Sequence, residues 1–475
     1  MVIKKCHIFT PKHIVDKMLD EAQYIDKLYG KKFLENSCGE GNILCEAVIR
    51  YIKNCLKENR SKQEIKLGLE RDFMGIEYDA VNQNKCIENL NKIAEKYKLD
   101  NVRWNIILGD YLKIKINKKF DYIVGNPPYI SYREINIENR EFIRSTFNSC
   151  KKGKFDYYYP FIEKSLNSLK EHGILVYLIP TNFFKNVFAH DLREYIKKSI
   201  CTVFDYTTEK IFKNILTSSS IMICSSEKNN SLLKYIDVSK NKSYYLNKEE
   251  LGEKWIFRDN RAKEKVLFSE YFSAAASIAT LLNRAFVIKE YEKSKNYYLV
   301  SNYIIEEAIV KKAASPRSYS KNKKEMIIFP YNIKDEKILR YDSTEFSSLF
   351  PGASKYLNIF RNELENRAIS KSVMWFEYGR TQAIDKMNQK KLMISSIVTD
   401  KVNVYELDEN TIPYSGIYIV MNSEKDLKYA KEILTSDEFY EYVKCIGTHV
   451  SGVSIRITAN DIKKFDISKW SLKWD

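Results

Sequence analysis

The sequence predicts a doubly wound α/β sheet in its first half, followed by a separate α+β domain. Three observations carry that expectation. Short apolar runs alternate with amphipathic helical patterns up to about residue 200, two β-rich pieces follow, and from about residue 240 the regular alternation stops. A chain of 475 residues has room for two or three domains at roughly 100 to 200 residues each. With 44% hydrophobic and 13% aromatic residues, it is too apolar for a disordered chain.

The strand candidates are 32–35, 73–77, 105–108, 121–124 and 174–179, and the helical patterns between them are 42–56, 80–97 and 157–169. In such a sheet ligands are expected at the carboxyl ends of the strands. VFDYTT and TSSSIMICSS, after residue 200, read as strands that close the sheet. From about 240 to 300 the sequence reads as a linker and the start of a second domain, with SAAASIATLL as a small-residue helix pattern. Beyond it MIIFPY, WFEY, KLMISSIV and YSGIYIVM are short aromatic and β-branched runs. The expected division is therefore 1–240 and 241–475.

The longest apolar run, 174–179, is strand-sized, far below the roughly 18 to 20 residues of a membrane span. MVIKKCHIFTPKH has no apolar leader segment, so a cytoplasmic protein is expected. Nine cysteines are scattered without a CxxC pair or zinc spacing, which predicts reduced thiols and no metal site. Residues 1–100, 101–400 and 401–475 contribute +2, +16 and −2 to the net charge of +16. A basic middle suits a polyanion, because each Lys or Arg on a phosphate releases a counterion. On charge alone, a nucleic-acid partner and a compositional bias towards lysine fit equally well.

Four strand-end loops carry chemistry. Leu34 to Gly41 is a turn in which Gly39 and Gly41 allow tight bending, while Glu35 and Glu40 would repel a polyphosphate and favour a cofactor with a cationic centre. Glu77, at the end of the next strand, can accept both hydroxyls of a ribose. It lies far enough from Gly41 to require a long helix or the charged insertion KENRSKQEIK. Asp110, just past the third strand, can accept from an exocyclic amine. The fourth loop, Asn126-Pro127-Pro128-Tyr129, is the sharpest feature. Its prolines present rigid carbonyls, the Asn oxygen adds a second acceptor for one NH₂ group, and the aromatic offers a flat face.

In this order the loops resemble those of the gamma-class, or TaqI-type, N6-adenine DNA methyltransferases of restriction-modification systems. The match begins at Phe9-Thr10-Pro11 and continues through Phe155-Asp156-Tyr157-Tyr158, 173–183 and Lys210-Ile211-Phe212. Asn36-Ser37 departs from the family's usual Pro-Ala, which bears on the local turn but not on the glycines. The resemblance implies a Rossmann-like class I methyltransferase fold with S-adenosylmethionine as cofactor. Thr10, Pro11, Glu35, Gly39 and Gly41 would surround its methionine and sulfonium end, Glu77 its ribose and Asp110 its adenine. Asn126 and Pro127 would hold the amine of an adenine flipped out of double-stranded DNA, with Tyr129 stacking on it. Phe212 stands either as a second stacking partner or as a core residue.

By the same resemblance 327–331, 375–380 and 391–399 look like a target-recognition domain, in which Arg317, Lys321, Lys323, Lys324, Arg380 and Arg456 are candidate DNA contacts. Because the motifs begin at Phe9, a modification enzyme without its own nuclease is expected, monomeric on DNA, as an orphan or as the partner of a separate restriction endonuclease. The tetrapeptide also resembles that of guanine-N2 rRNA methyltransferases and of glutamine methyltransferases acting on release factors. An rRNA substrate and a catalytically silent DNA-binding specificity subunit are the competing readings; motif order and the basic middle favour DNA.

Overall fold

The structure is a computed structural model whose described residues are 10–207, 218–227, 231–257, 265–334, 337–367, 372–381, 384–451 and 453–471. They divide into two compact units, Met1–Asn260 and Arg261–Asp475. The division falls beyond the expected 240/241 boundary because a hairpin of Leu232–Asp237 and Lys242–Asn247 extends the first sheet.

The first unit is built on nine strands: β1 (Phe33–Glu35), β2 (Phe73–Glu77), β3 (Ile106–Leu108), β4 (Phe120–Gly125), β5 (Leu169–Pro180), β6 (Ile200–Asp205), β7 (Ser219–Ser225), β8 (Leu232–Asp237) and β9 (Lys242–Asn247). Their order is β3-β2-β1-β4-β5-β7-β6-β8-β9, and all but β7 and β9 run parallel. The chain winds outward from β1 to β3 and then returns to β4 on the other side of β1. That reversal opens a crevice at the carboxyl ends of β1 and β4, where doubly wound sheets hold their ligands.

Both faces of the sheet are covered. On one lie α1 (Lys12–Glu21), α2 (Asn42–Lys57), α3 (Lys62–Asp72) and α4 (Ala80–Lys96), whose buried residues share a core with Val176 and Leu178 of β5. On the other lie α5 (Ile137–Thr146), α6 (Tyr158–Asn167) and α7 (His190–Ile196), packed with Leu175, Tyr177 and Ile179 of the same strand. Successive side chains of a strand point to opposite faces, so a parallel strand covered on both sides reads as an unbroken apolar run. The expected gap between Gly41 and Glu77 holds two helices rather than one. KENRSKQEIK ends α2 and starts α3, where Ser61 accepts from Glu64 N at 3.2 Å and Glu64 Oε2 accepts from Ser61 N at 2.9 Å.

The second unit is α+β, as expected. Phe272–Ala276, Ile417–Met421, Lys391–Ile394 and Val404–Leu407 form one antiparallel sheet. Val287–Ile288, Glu325–Ile328, Val310–Ala314 and Thr411–Pro413 form a second. The expected helix at SAAASIATLL is instead the edge strand Phe272–Ala276, in register with Met421 to Ile417. Alanine is a strong helix former, but intrinsic propensity amounts to under about 1 kcal/mol per residue, and a partner strand some 140 positions away outweighs it. WFEY forms a turn in which Phe376, Glu377 and Tyr378 are all buried. No helix among the described residues is long and apolar enough to cross a membrane, and no group of three or more metal-ligating side chains occurs among them.

Candidate functional site

Four of the singled-out loops meet at the carboxyl ends of β1 to β4. Parallel pairing places Glu35, Glu77 and Leu108 at adjacent strand ends. Gly39 and Gly41 both have positive φ, +54° and +89°, and Gly41 opens α2. A Cβ on Gly41 would lie 2.7 Å from Cys86 Sγ, whereas one on Gly39 would meet nothing within 4 Å. The turn is thus packed on its inner side and open above Gly39.

Asn36 stands where the methyltransferases that this loop resembles usually have proline, and supplies a different restraint. Its Nδ2 donates to Ser165 Oγ at 2.8 Å and to the Tyr177 hydroxyl, which ties the turn to α6 and β5. Glu77 bridges two loops: Oε2 accepts from Gly39 N at 2.8 Å and Oε1 from Asp79 N at 2.9 Å. Each carboxylate oxygen keeps a second lone pair, so these bonds orient the group without exhausting it. Glu35 is placed differently. It is buried, its Oε2 accepts from Leu44 N at 2.8 Å, and burial pushes its carboxyl well above the usual range. Its visible task is to hold the first turn of α2.

Asp110 follows Gly109, accepts from Leu112 N at 2.9 Å, and receives the Tyr157 hydroxyl at 3.3 Å. Beneath this loop lies Lys164 of α6, which sequence reasoning does not single out. Its ammonium donates to the carbonyls of Tyr111 at 2.5 Å, Leu112 at 3.1 Å and Ile114 at 2.6 Å. The only local signal is a charged Glu163-Lys164 pair set in the otherwise inward-facing helix YYPFIEKSL.

At the end of β4, Asn126 Nδ2 donates to Thr10 Oγ1 at 3.2 Å, and the Ser37 hydroxyl donates to the Asn126 carbonyl at 3.1 Å. The first bond holds the Asn126 side chain against Thr10. Pro11 starts α1 by accepting from Ile14 N and Val15 N, both at 3.0 Å. Tyr129 donates its hydroxyl to Leu178 O at 2.8 Å, and its ring meets that of Tyr158 edge to face at 6.2 Å. The adjoining Asp156 accepts a backbone hydrogen bond from Tyr132, while burial lifts its carboxyl to about 6.

The structure therefore brings together Thr10, Pro11, Gly39, Gly41, Glu77, Asp110 and Asn126 to Tyr129, with Glu35 just beneath them. Phe212 lies outside the described residues. In the second unit Arg317, Lys321, Lys323 and Lys324 are exposed on one stretch, 317–324, while exposed Arg380 and Arg456 lie on separate elements.

Residues 27–212 match the family model described as Eco57I restriction-modification methylase. The chain is 22% identical over 538 residues to the type II restriction enzyme and methyltransferase RM.Eco57I of Escherichia coli, covering 90% of this chain and 53% of that protein. It is 30% identical over 218 residues to the modification methylase CviBIII of Paramecium bursaria Chlorella virus NC1A, covering 46% and 48%. The chain thus spans about half the length of these relatives. Among solved structures it is similar to the type IIL restriction-modification enzyme MmeI in complex with DNA, with a TM-score of 0.57 and 14% identity, covering 94% of this chain and 63% of that one. The likeness to MmeI shows the fold, and the methylase model over 27–212 implies S-adenosylmethionine as cofactor. The residues present fit that group: open space above Gly39 and carboxylates at the ends of β2 and β3.

Proposed function

We propose that this chain, whose residues 27–212 match the Eco57I restriction-modification methylase model, transfers a methyl group to N6 of an adenine flipped out of double-stranded DNA. The observation that carries this reading is the position of Asn126-Pro127-Pro128-Tyr129. The tetrapeptide follows β4 at the topological reversal, beside the Gly39 turn to which Ser37 ties it.

Glu77 would hold the ribose of S-adenosylmethionine, Asp110 its adenine, and the backbone from Ser37 to Gly41 its methionine end. When bound, the cofactor supplies an electrophilic methyl on sulfur. The protein's own task is to prepare the amine. A stacked base is out of reach, so the adenine leaves the helix at a cost of a few kcal/mol, repaid by contacts in the pocket and to the backbone. Asn126 Oδ1 and the Pro127 carbonyl accept the two N6 hydrogens, which localises the nitrogen lone pair and aims it. Thr10 holds the Asn126 side chain at the end of β4. Positioning of this kind is worth several kcal/mol and needs no strong base, because the proton becomes acidic as charge develops on nitrogen.

The second unit reads the target sequence, through the exposed basic residues from Arg317 to Lys324 together with Arg380 and Arg456. The activity proposed for this chain is DNA modification. Sequencing-based mapping of N6-methyladenine in cells expressing the wild type or Asn126→Ala tests the proposal. A defined methylated sequence that disappears in the variant is expected, while the variant still binds S-adenosylmethionine. Methylation at cytosine, in RNA, or within about tenfold of wild type in the variant refutes it.

A further inference from the structure

Two loops beside the tetrapeptide carry an arrangement that neither the cofactor nor the amine explains. The first, 148–154, leads from α5 into Phe155, whose ring packs against Tyr132 at 5.3 Å. The second, 181–189, follows the carboxyl end of β5 and contains the turns Thr181–Phe184 and Val187–Ala189. β4 and β5 are parallel, so both loops stand on the same edge of the sheet as Asn126. They touch where Gly153 faces Phe188; a Cβ there would come within 2.9 Å of the ring.

Both loops are braced from below by charged groups. Buried Glu163 accepts from Asn148 N at 3.0 Å and from Ser149 N at 2.7 Å. Arg144 donates to the carbonyls of Lys151 and Gly153, both at 2.9 Å. Buried Arg193 donates to Phe183 O at 2.6 Å, to Asn186 O at 2.7 Å and to Glu253 O. Asn186 Oδ1 accepts from Phe188 N at 3.0 Å. Burying a guanidinium and a carboxylate is costly, so the backbone shape they enforce matters.

What this scaffold presents outward is unusual. Val187 is 60% and Phe188 43% exposed, adjacent in sequence at a turn tip. Beside them lie exposed Lys151, Lys152 and Lys154, none of them in an ion pair among the described residues, with Lys154 Nζ 6.0 Å from the Phe188 ring. Carboxylates on these and adjoining elements are Glu163, spent on the two amides, Asp156, two residues after Lys154, and Asp191 in the first turn of α7. A stiff apolar tip rimmed by cations, on the same edge of the sheet as Asn126, matches a duplex opened at one step. It offers an apolar surface for the vacated stack and ammonium groups for the phosphates on either side.

We propose that Val187 and Phe188 form a wedge that enters the space left by the flipped adenine, while Lys151, Lys152 and Lys154 hold the phosphates flanking it. This rests on the reading above that the substrate is an adenine in duplex DNA. The lysines act regardless of sequence, so base reading stays with the second unit.

The test uses the full chain and duplexes carrying the mapped target adenine, opposite either thymine or an abasic site. Val187→Ala/Phe188→Ala is expected to lose about 10- to 100-fold in kcat/KM on the paired duplex. On the abasic duplex, where the base is already unpaired, it should come within about threefold of wild type. Phe188→Leu, which keeps an apolar tip, should restore most of the paired activity. Lys151→Gln/Lys152→Gln/Lys154→Gln should lower the slope of log K against log salt by about 2 to 3. S-adenosylmethionine affinity should be unchanged in every variant. Equal losses on both duplexes, no loss at all, or an unchanged salt slope would overturn the wedge. Absence of adenine methylation by the wild type on any duplex would instead overturn the premise, and the wedge with it.

Discussion

Asp156 offers a quantitative check on the environment of the tetrapeptide. Its carboxyl is partly buried beside the Tyr132 amide, and desolvation raises it to about 6 from an ordinary 3.8. Between these values the folded protein keeps a proton that the unfolded chain has released. The stability contribution is therefore full below about pH 4 and is lost as pH rises through about 6. The gap between the two values corresponds to about 3 kcal/mol, which partial solvent exposure reduces to about 1 to 2. Asp156→Asn keeps an oxygen to accept from Tyr132 and removes the charge. The variant should match wild type near pH 4 and be about 1 to 2 kcal/mol more stable at pH 7.5. Urea-dependent hydrogen exchange, followed in peptides covering α6 and β5, isolates the first unit from the second. A stability difference that is the same at both pH values, or a variant less stable at pH 7.5, would refute the assignment.

Three further outcomes follow from the same geometry. Gly41→Ala forces a side chain into φ +89° and against Cys86 Sγ, so thermal unfolding should show a loss of about 1 to 3 kcal/mol and weaker cofactor binding. Lys164→Met removes the ammonium shared by the carbonyls of Tyr111, Leu112 and Ile114. Calorimetry should show S-adenosylmethionine binding about tenfold weaker, with DNA binding in its absence unchanged; a change below twofold would remove Lys164 from the cofactor loop. In the second unit Glu377→Gln breaks the pair in which Arg340 Nε donates to Oε1 at 2.6 Å. Hydrogen exchange in 325–334 should show a local loss of about 2 to 3 kcal/mol while β5 is untouched.

The central strands are legible because both of their faces are buried, which leaves an apolar run that no surface helix imitates. Their carboxyl ends are legible because glycine, acid and Asn-Pro-Pro have few structural reasons to recur in that order. Where the fold depends on distant partners, the sequence is silent. Phe272–Ala276 looks helical until Ile417–Met421 is beside it. Strand β9 resembles linker because it is largely polar, and only its pairing with β8 assigns it to the first unit. Glu35 reads in sequence as a ligand-facing acid, yet its bond to Leu44 N turns it inward. Lys164, Glu163 and Arg193 escape notice for the opposite reason: charged side chains in sequence read as surface, and what places them beneath loops is the set of backbone carbonyls and amides they serve.

The bond between Thr10 and Asn126 spans 116 positions, and that separation has a temporal meaning. The Thr10 hydroxyl is synthesised long before the strand that carries Asn126. It can find its partner only after β1, β2 and β3 have been laid down between them. Closing so long a loop is slow, whereas local helices and neighbouring strands form first. The site at the end of β4 therefore waits on β1 to β4, and no shorter stretch of the chain brings Thr10 to Asn126.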